Sequence, residues 1–397
     1  MTDNTQKPTR VLIVFNTLCF YGMEHSVIET FDILRPDIVP HFLIPRSTER
    51  YQTELLREIR RRNFSYSFFS DIWDWPRVGR PRSLVHAAKL LCSIALANWD
   101  VLKQCSRHDV LHLPIASSAY YAFLAGLYYR ARNKRVIYFF HDLFTPPHKF
   151  MPVIWLATDF VHHTERSKQL VRQSNFGIDT KDNHTIPVAL EIRNSSDIDL
   201  SQWKDKRIIL FMGQVSVHKG LDLLAEAFLA LALRYSDIAL HIVGACQGES
   251  PGWFSELLGQ TARGIDIKHW GYINNVHPLL KAAYVYVHPT PPSRCHESFG
   301  RGVVEAMALG TPAVCFRSGP LGDIVIHEQT GLVCEQESAS CLAQNLKRFL
   351  DDPQFRNSCA HQARKRFVEC YSTAPIRAAW LGLLQSPPGA REICNLR

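Results

Sequence analysis

The chain has 397 residues, 46% of them hydrophobic and 21% charged, with a formal net charge of +8. That length and composition exclude a single small domain, a disordered chain and a low-complexity protein, and suit two globular domains of ordinary size. About +7 of the charge falls on residues 1–195, which leaves two readings of that half: an anionic partner such as a membrane surface or an acidic acceptor, or a merely soluble basic surface.

The polar start "MTDNTQKPTR" runs straight into "RVLIVFN" (10–16), a short, apolar, β-branched stretch of the kind that forms a buried parallel strand, so no signal peptide is expected. A loop with Gly22 follows, then the helical pattern "EHSVIETFDIL". "HFLIP", "DVLHLP" (109–114), "RVIYFFHD" (135–142) and "DFVHHT" (159–164) read as further strands alternating with helices. Such alternation predicts a doubly wound α/β domain over 1–190. The longest apolar stretch, "LLCSIALANW", is shorter than the ~20 residues a spanning helix needs, so any membrane contact is expected to be peripheral. None of the eleven cysteines forms a Cys-x-x-Cys pair, which suits reduced thiols and a cytoplasmic protein.

The stretch 191–206 is polar and aperiodic and reads as a linker. The pattern then restarts. "RIILFMG", "IALHIVG", "IKHWGYI", "YVYVHPT" and "PAVCFR" are predicted strands separated by helices, giving a second α/β domain over 207–370 and leaving 371–397 as a tail expected to pack back toward the first domain. Two such domains imply a cleft, and ligands in such sheets bind beyond the carboxyl ends of the strands.

One loop stands out. "CHESFGRGVVEAMALGTP" (295–312) places Glu297 just before a helix predicted from Ser298 to just short of Gly310, and Glu305 eight positions further on. In a continuous helix that spacing is roughly 12 Å, about the span from a sugar ring across a diphosphate to a ribose. The free amides of the first turn favour an anion between the two carboxylates, and Gly300 and Gly302 let a ligand approach the backbone. An ordinary N-cap carboxylate followed by a surface glutamate accounts for the same spacing. A second loop, "FMGQVSVHKGLDLL" (211–224), opens a helix at Lys219-Gly220, where a lysine reaches a phosphate or is simply solvated.

Taken together, "LFMGQVSVHKGLDLLAEAF", "LHIVG", "GYINNVHPLLKAAYVYVHPT", "ESFGRGVVEAMALGTPAV" and "HEQTGLVC" resemble the retaining glycosyltransferases of family 4 (glycosyl transferases group 1). The resemblance is close over about 207–370 and thinner in the first half, where "YGMEHSVIE", "RHDVLHLP" and "YFFHDLF" are similar to family stretches. It implies a GT-B fold, two Rossmann-like doubly wound domains facing across a cleft. It also implies transfer of a sugar from a nucleoside-diphosphate sugar to a hydroxyl with retained anomeric configuration, as in polysaccharide or glycolipid biosynthesis.

By the same resemblance Glu297 contacts the donor sugar and Glu305 holds the ribose. Ser298, Phe299, Gly300 and Arg301 line the sugar and phosphate, and Lys219 neutralises the leaving diphosphate. Ile273 brackets the base, His141 reaches the donor sugar from the first domain, and Gly22 and Glu24 shape that domain's wall of the cleft. A strand-end histidine such as His141 is, without the resemblance, more often a structural hydrogen-bonder, and Asp142 is placed to orient its ring.

The chain departs from the family pattern in three places. Gln214 stands where the family has an arginine that would share the diphosphate with Lys219, so Arg294 or Arg301 would have to substitute. Tyr21 replaces a glycine, and Asp323 a longer acidic residue.

No metal and no cofactor are expected. "DID" (197–199) lies in the linker rather than at a strand end, and His162 and His163 point apart on a strand. The expected partners are a nucleotide-sugar donor and a sugar, lipid-linked or glycolipid acceptor, with no nucleic acid. The stretch 54–82 interleaves arginines with aromatics, which suits an anionic membrane surface on the cytoplasmic side, equally an acidic glycan, or simply a helix-strand-loop unit with surface arginines and buried aromatics. The competing readings are a non-catalytic sugar-nucleotide-binding scaffold and a GT-B epimerase or phosphorylase.

Overall fold

The computed structural model describes residues 7–18, 20, 22–71, 83–141, 151–173, 178–192, 198–246, 250–295 and 297–386. The chain divides into two units, Met1–Leu190 with Thr373–Arg397, and Glu191–Ser372.

In the first unit the sheet is built from β1 (Thr9–Val14), β2 (Ile38–Pro45), β3 (Ser65–Phe69), β4 (Val110–Leu113), β5 (Val136–Phe140), β6 (Asp159–His162) and β7 (Asp182–Thr185). The strands are parallel, in the order β3-β2-β1-β4-β5-β6-β7. Alternate residues serve opposite faces, as the pleat requires. Val11, Ile13, Ile137 and Phe139 enter one core, while Leu12, Val14, Val136, Tyr138 and Phe140 enter the other. The sequence did not announce β3 and β7, since "SYSFF" and "DNHT" are short, polar edge strands without a buried-strand pattern.

The Thr373–Gln385 helix belongs to this first unit. Ile376, Ala379, Trp380, Leu383 and Leu384 share a core with Val11, Ile13, Phe31 and Phe139, and Trp380 is wholly buried. Arg377 donates to the Ile33 carbonyl at 2.9 Å and pairs with Asp37.

The second unit repeats the plan with β8 (Arg207–Met212), β9 (Ile238–Val243), β10 (Ile267–His269), β11 (Val285–His288), β12 (Ala313–Phe316) and β13 (Gly331–Cys334), parallel in the order β10-β9-β8-β11-β12-β13. Counted within each unit, both sheets follow the doubly wound 3-2-1-4-5-6 order. The order reverses between β1 and β4 in one unit and between β8 and β11 in the other, and ligands of such sheets bind at that point, beyond the carboxyl ends.

Three expectations need correction. First, the polar stretch 191–206 is not simply a linker. Its residues 198–206 are described and belong to the second unit, where a short turn, Ser201–Trp203, buries Trp203 against His241 and Trp270 and hydrogen-bonds its indole to Asp266 Oδ1 at 3.0 Å. One aromatic anchor inside a polar run leaves no periodicity to read.

Second, the apolar stretch around Leu91 is longer than it looks. A helix covers Leu84–Gln104 and continues as a tight turn to Arg107, and by length and composition it is enough to cross a membrane. Lys89 and Asp100 bound the quoted run on either side, while the longer helix stays apolar on average.

Third, the described part of the 54–82 stretch does not present free cations. Arg57 pairs with Glu54, Arg61 with Glu58, and Arg62 with Glu58 and Asp32; Arg60 Nε donates to the Tyr66 hydroxyl at 3.0 Å. Phe64 and Phe69 are core residues. The remainder, 72–82, lies outside the described residues.

Candidate active site

The loops leaving β8 and β11, on either side of the second unit's switch point, supply the residues singled out above. After β8 the chain passes Gln214 and makes a tight turn, Val217–Lys219, before the Leu221–Ala232 helix. Gly220 makes that turn possible. Its φ of +71° is left-handed, and a Cβ there would sit 1.8 Å from the Pro289 carbonyl oxygen just beyond β11, so only glycine lets the two loops touch. The contact carries Lys219 across to Glu297.

Glu297 is buried and its Oε1 collects three groups. Lys219 Nζ donates at 2.5 Å, the Thr290 hydroxyl donates at 3.0 Å, and His288 Nε2 lies 3.1 Å away. His288 Nδ1 is 2.9 Å from the Tyr286 hydroxyl. The ring thus lies between the Tyr286 hydroxyl at Nδ1 and the carboxylate at Nε2. Burial alone would raise the Glu297 carboxyl. The charge and hydrogen bonding of His288, and then of Lys219, outweigh it and hold the group well below the usual carboxylate range. Below the site, the Ser318 hydroxyl accepts from the Glu297 amide at 3.4 Å, and Gly319 packs where a Cβ would lie 2.1 Å from the Glu297 carbonyl.

The helix begins three residues later than the sequence suggested. It spans Arg301–Ala308, with Gly300 as its left-handed cap, while Ser298 and Phe299 precede it. Glu305 therefore lies one turn inside the helix, and the 12 Å rise expected for a continuous helix from Ser298 does not apply. Glu305 Oε1 accepts from Arg301 Nε at 2.8 Å. Phe299 is buried edge-on to Tyr371, and Ile273 lies, half-buried, in the loop after β10.

Gln214 is half-buried and brings no charge to the loop. Neither suggested replacement is a ready clamp. Arg294 is tied to Asp222 at 2.7 Å and to the Val217 carbonyl at 3.0 Å, and Arg301 to Glu305.

The other nominated residues belong to the first unit. Gly22 opens the Gly22–Ile33 helix and is exposed, and Glu24 is buried in its first turn. Tyr21 and Asp142 lie outside the described residues. His141 follows β5, and its ring sits between Phe139 at 4.4 Å and His163 at 4.9 Å. Burial, then the neighbouring His163 and His112, push its imidazole well below the usual range, so it is neutral. His162 turns the other way, stacked on Phe140 and bonded to Asn183 Oδ1 at 2.9 Å. Of the "DID" triplet, Asp197 lies outside the described residues and exposed Asp199 caps Ser201. Among the described residues no group of three or more His, Cys, Asp or Glu is arranged to hold a metal.

The buried histidines make a pH prediction. Burial lowers His112, His162 and His163 from 6.5 to about 3. Between those limits the unfolded chain takes up protons that the folded chain does not, so stability falls as pH drops below 6.5. At pH 5 each histidine is expected to cost on the order of 1–2 kcal/mol relative to pH 7. Urea denaturation at the two pH values measures this, and a midpoint that does not fall at pH 5 would contradict it.

Sequence reasoning missed His288 and Thr290. Both stood in plain view in "YVYVHPT", but only the contacts of the Thr290 hydroxyl and His288 Nε2 with Glu297 Oε1 show that they gather at it.

Residues 194–366 match the glycosyl transferases group 1 family model. The matched residues include Lys219, Glu297 and Glu305. Over 170 residues the chain is 30% identical to a glycosyltransferase of Methanocaldococcus jannaschii, covering 42% of each chain. It is 29% identical over 165 residues to the GDP-mannose-dependent α-(1-6)-phosphatidylinositol dimannoside mannosyltransferase of Mycobacterium tuberculosis, covering 41% of this chain and 40% of that one. The matches thus span about two fifths of these curated relatives. Beyond the matched residues the likeness is one of fold. Anabaena HepE, solved in complex with UDP and glucose, superposes with a TM-score of 0.71 at 17% identity, covering 95% of this chain and 99% of that one. The two Rossmann-like units are those of the GT-B glycosyltransferase fold.

Proposed function

We propose that this protein is a glycosyltransferase that moves a sugar from a nucleoside-diphosphate sugar to a hydroxyl acceptor, with retention at the anomeric carbon and without a metal ion. The observation that carries the proposal is the Lys219–Glu297 pair at the switch point of the second sheet, beside the amino end of the Arg301–Ala308 helix. In this reading the donor separates the pair. Glu297, ionised throughout the physiological range, accepts hydrogen bonds from the sugar hydroxyls. Lys219 turns to the diphosphate. As the bond from the anomeric carbon to the phosphate oxygen breaks, the diphosphate takes the electron pair, the acceptor oxygen bonds that carbon from the same face, and the hydroxyl proton passes to the departing phosphate oxygen. The growing charge meets Lys219 and the helix amides, so the interaction strengthens in the transition state and lowers the barrier.

Glu305 holds the ribose in this reading, releasing Arg301 toward the phosphates. His141 and Glu24 are assigned to the donor sugar and acceptor in this reading. The acceptor is a sugar or a glycolipid, in keeping with the M. tuberculosis relative named for a phosphatidylinositol dimannoside. The nucleotide stays open between the UDP bound by HepE and the GDP-mannose in the name of that relative.

The test is thermal-shift binding of UDP-, GDP-, ADP- and dTDP-sugars, beside Glu305→Ala. One nucleotide class is expected to raise the melting temperature by a few degrees, and Glu305→Ala to lose most of that shift. A shift unchanged in the mutant would remove Glu305 from the ribose. Gln214 favours one second reading, a sugar-nucleotide-binding protein without turnover. Donor binding without product formation across an acceptor panel would select it.

A further inference from the structure

The Leu84–Gln104 helix packs Ala97 and Val101 into the core yet leaves large apolar side chains outside. Ser93, Asn98 and Asp100 face inward with them, while Lys89 and Lys103 stay outside. Asn98 Nδ2 donates to the Tyr120 carbonyl at 2.8 Å and its Oδ1 accepts from the Leu124 amide at 2.8 Å; Ser93 is buried; Asp100 Oδ2 accepts from the Ser70 amide and hydroxyl at 3.0 and 2.8 Å. Its outer face is largely apolar, with Leu84 90% exposed, Leu91 66% and Trp99 59%. The helices packed beside it, Ser118–Tyr121, Phe123–Ala131 and then Met151–Leu156, add exposed Tyr120, Leu124 and Trp155.

Basic groups rim these aromatics. Lys103 lies over Trp99 at 5.6 Å, Arg130 over Trp155 at 5.8 Å and Arg132 over Tyr128 at 4.1 Å. Residues 83–134 hold six Lys or Arg (89, 103, 107, 130, 132, 134) against two Asp (100, 109). Apolar side chains outward, Trp and Tyr at their margin and a cationic rim are what a bilayer interface with anionic headgroups complements.

We propose that this face of the first unit docks in the plane of an anionic lipid bilayer, with the helix lying along the surface. The inward bonds of Asn98 and Asp100 tie the helix to its unit, which favours lying on the membrane over crossing it. A second copy is a poorer occupant, since a two-fold contact would bring the cationic rims together. The proposal does not depend on the catalytic reading.

The test is flotation of the full chain with phosphatidylglycerol/phosphatidylcholine vesicles and with phosphatidylcholine alone, at physiological salt. The protein is expected to float with the anionic vesicles. Leu91→Gln/Trp99→Gln is expected to reduce binding about tenfold or more with its melting temperature unchanged, because both side chains already face solvent. Lys89→Glu/Lys103→Glu, which keeps the apolar face, is expected to reduce binding several-fold on anionic vesicles only. No flotation of the unmodified protein, or undiminished flotation of both variants, would overturn the proposal. So would a dimer that Leu91→Gln/Trp99→Gln converts to monomer without any vesicle binding. Resistance to alkaline carbonate extraction would replace the in-plane helix with a spanning one.

Discussion

Glu297→Gln is expected to lower turnover by roughly 10²–10³-fold while the fold survives. The substitution preserves shape and leaves an amide oxygen to accept from the Thr290 hydroxyl, but it removes the negative charge that His288, Thr290 and Lys219 converge upon. Lys219 is 30% exposed and can turn to water, but the depressed Glu297 carboxyl marks an ionised form that stabilises the fold, so the variant should also melt at a lower temperature. Lys219→Ala should lower turnover by a similar factor through the leaving group. The informative measurement is kcat and KM for each variant with saturating acceptor. A loss confined to KM would mean that the pair only binds the donor, and full activity in both variants would remove it from the mechanism.

Trp380→Ala is the substitution expected to do most damage to stability. The side chain is wholly buried against Phe31, His112 and Phe139, far along the chain from all of them. Truncation of a buried aromatic costs about 3–5 kcal/mol, a large part of the stability of an ordinary domain. The loss should be confined to the first unit. Hydrogen exchange should show β1 and β5 losing protection while β8 and β11 keep theirs, and a uniform loss across both units would show that they unfold together. Ending the chain after Ser372 should have the same signature, more severely, because the whole Thr373–Gln385 helix leaves the core.

Much of the fold was legible from local pattern. Central strands such as "RVLIVFN" and "IALHIVG" are buried on both faces and therefore read as continuous β-branched, apolar runs. Edge strands such as β7 are half polar and gave no such signal. Within the site, Glu297, Lys219 and Glu305 were found because their loops follow strands and because their motifs resemble a family. The start of the helix at Arg301 was not found. Ser298 looks like a cap by composition, and only the left-handed backbone at Gly300, packed on Leu321, shows that the chain is still turning there.

The sequence by itself determined the two α/β units, the positions of the ligand-side loops and the carboxylates and lysine they hold. These rest on short-range chemistry, namely side-chain periodicity, glycine at turns and charge near a helix start. Only the tertiary structure decided that Lys219 meets Glu297 from 78 residues away, that His288 lies beside them, and that the Leu84–Gln104 helix leaves large apolar side chains outside. Each depends on which strands and helices become neighbours. That order is set by the sum of long-range packing and leaves no mark on any single stretch of chain.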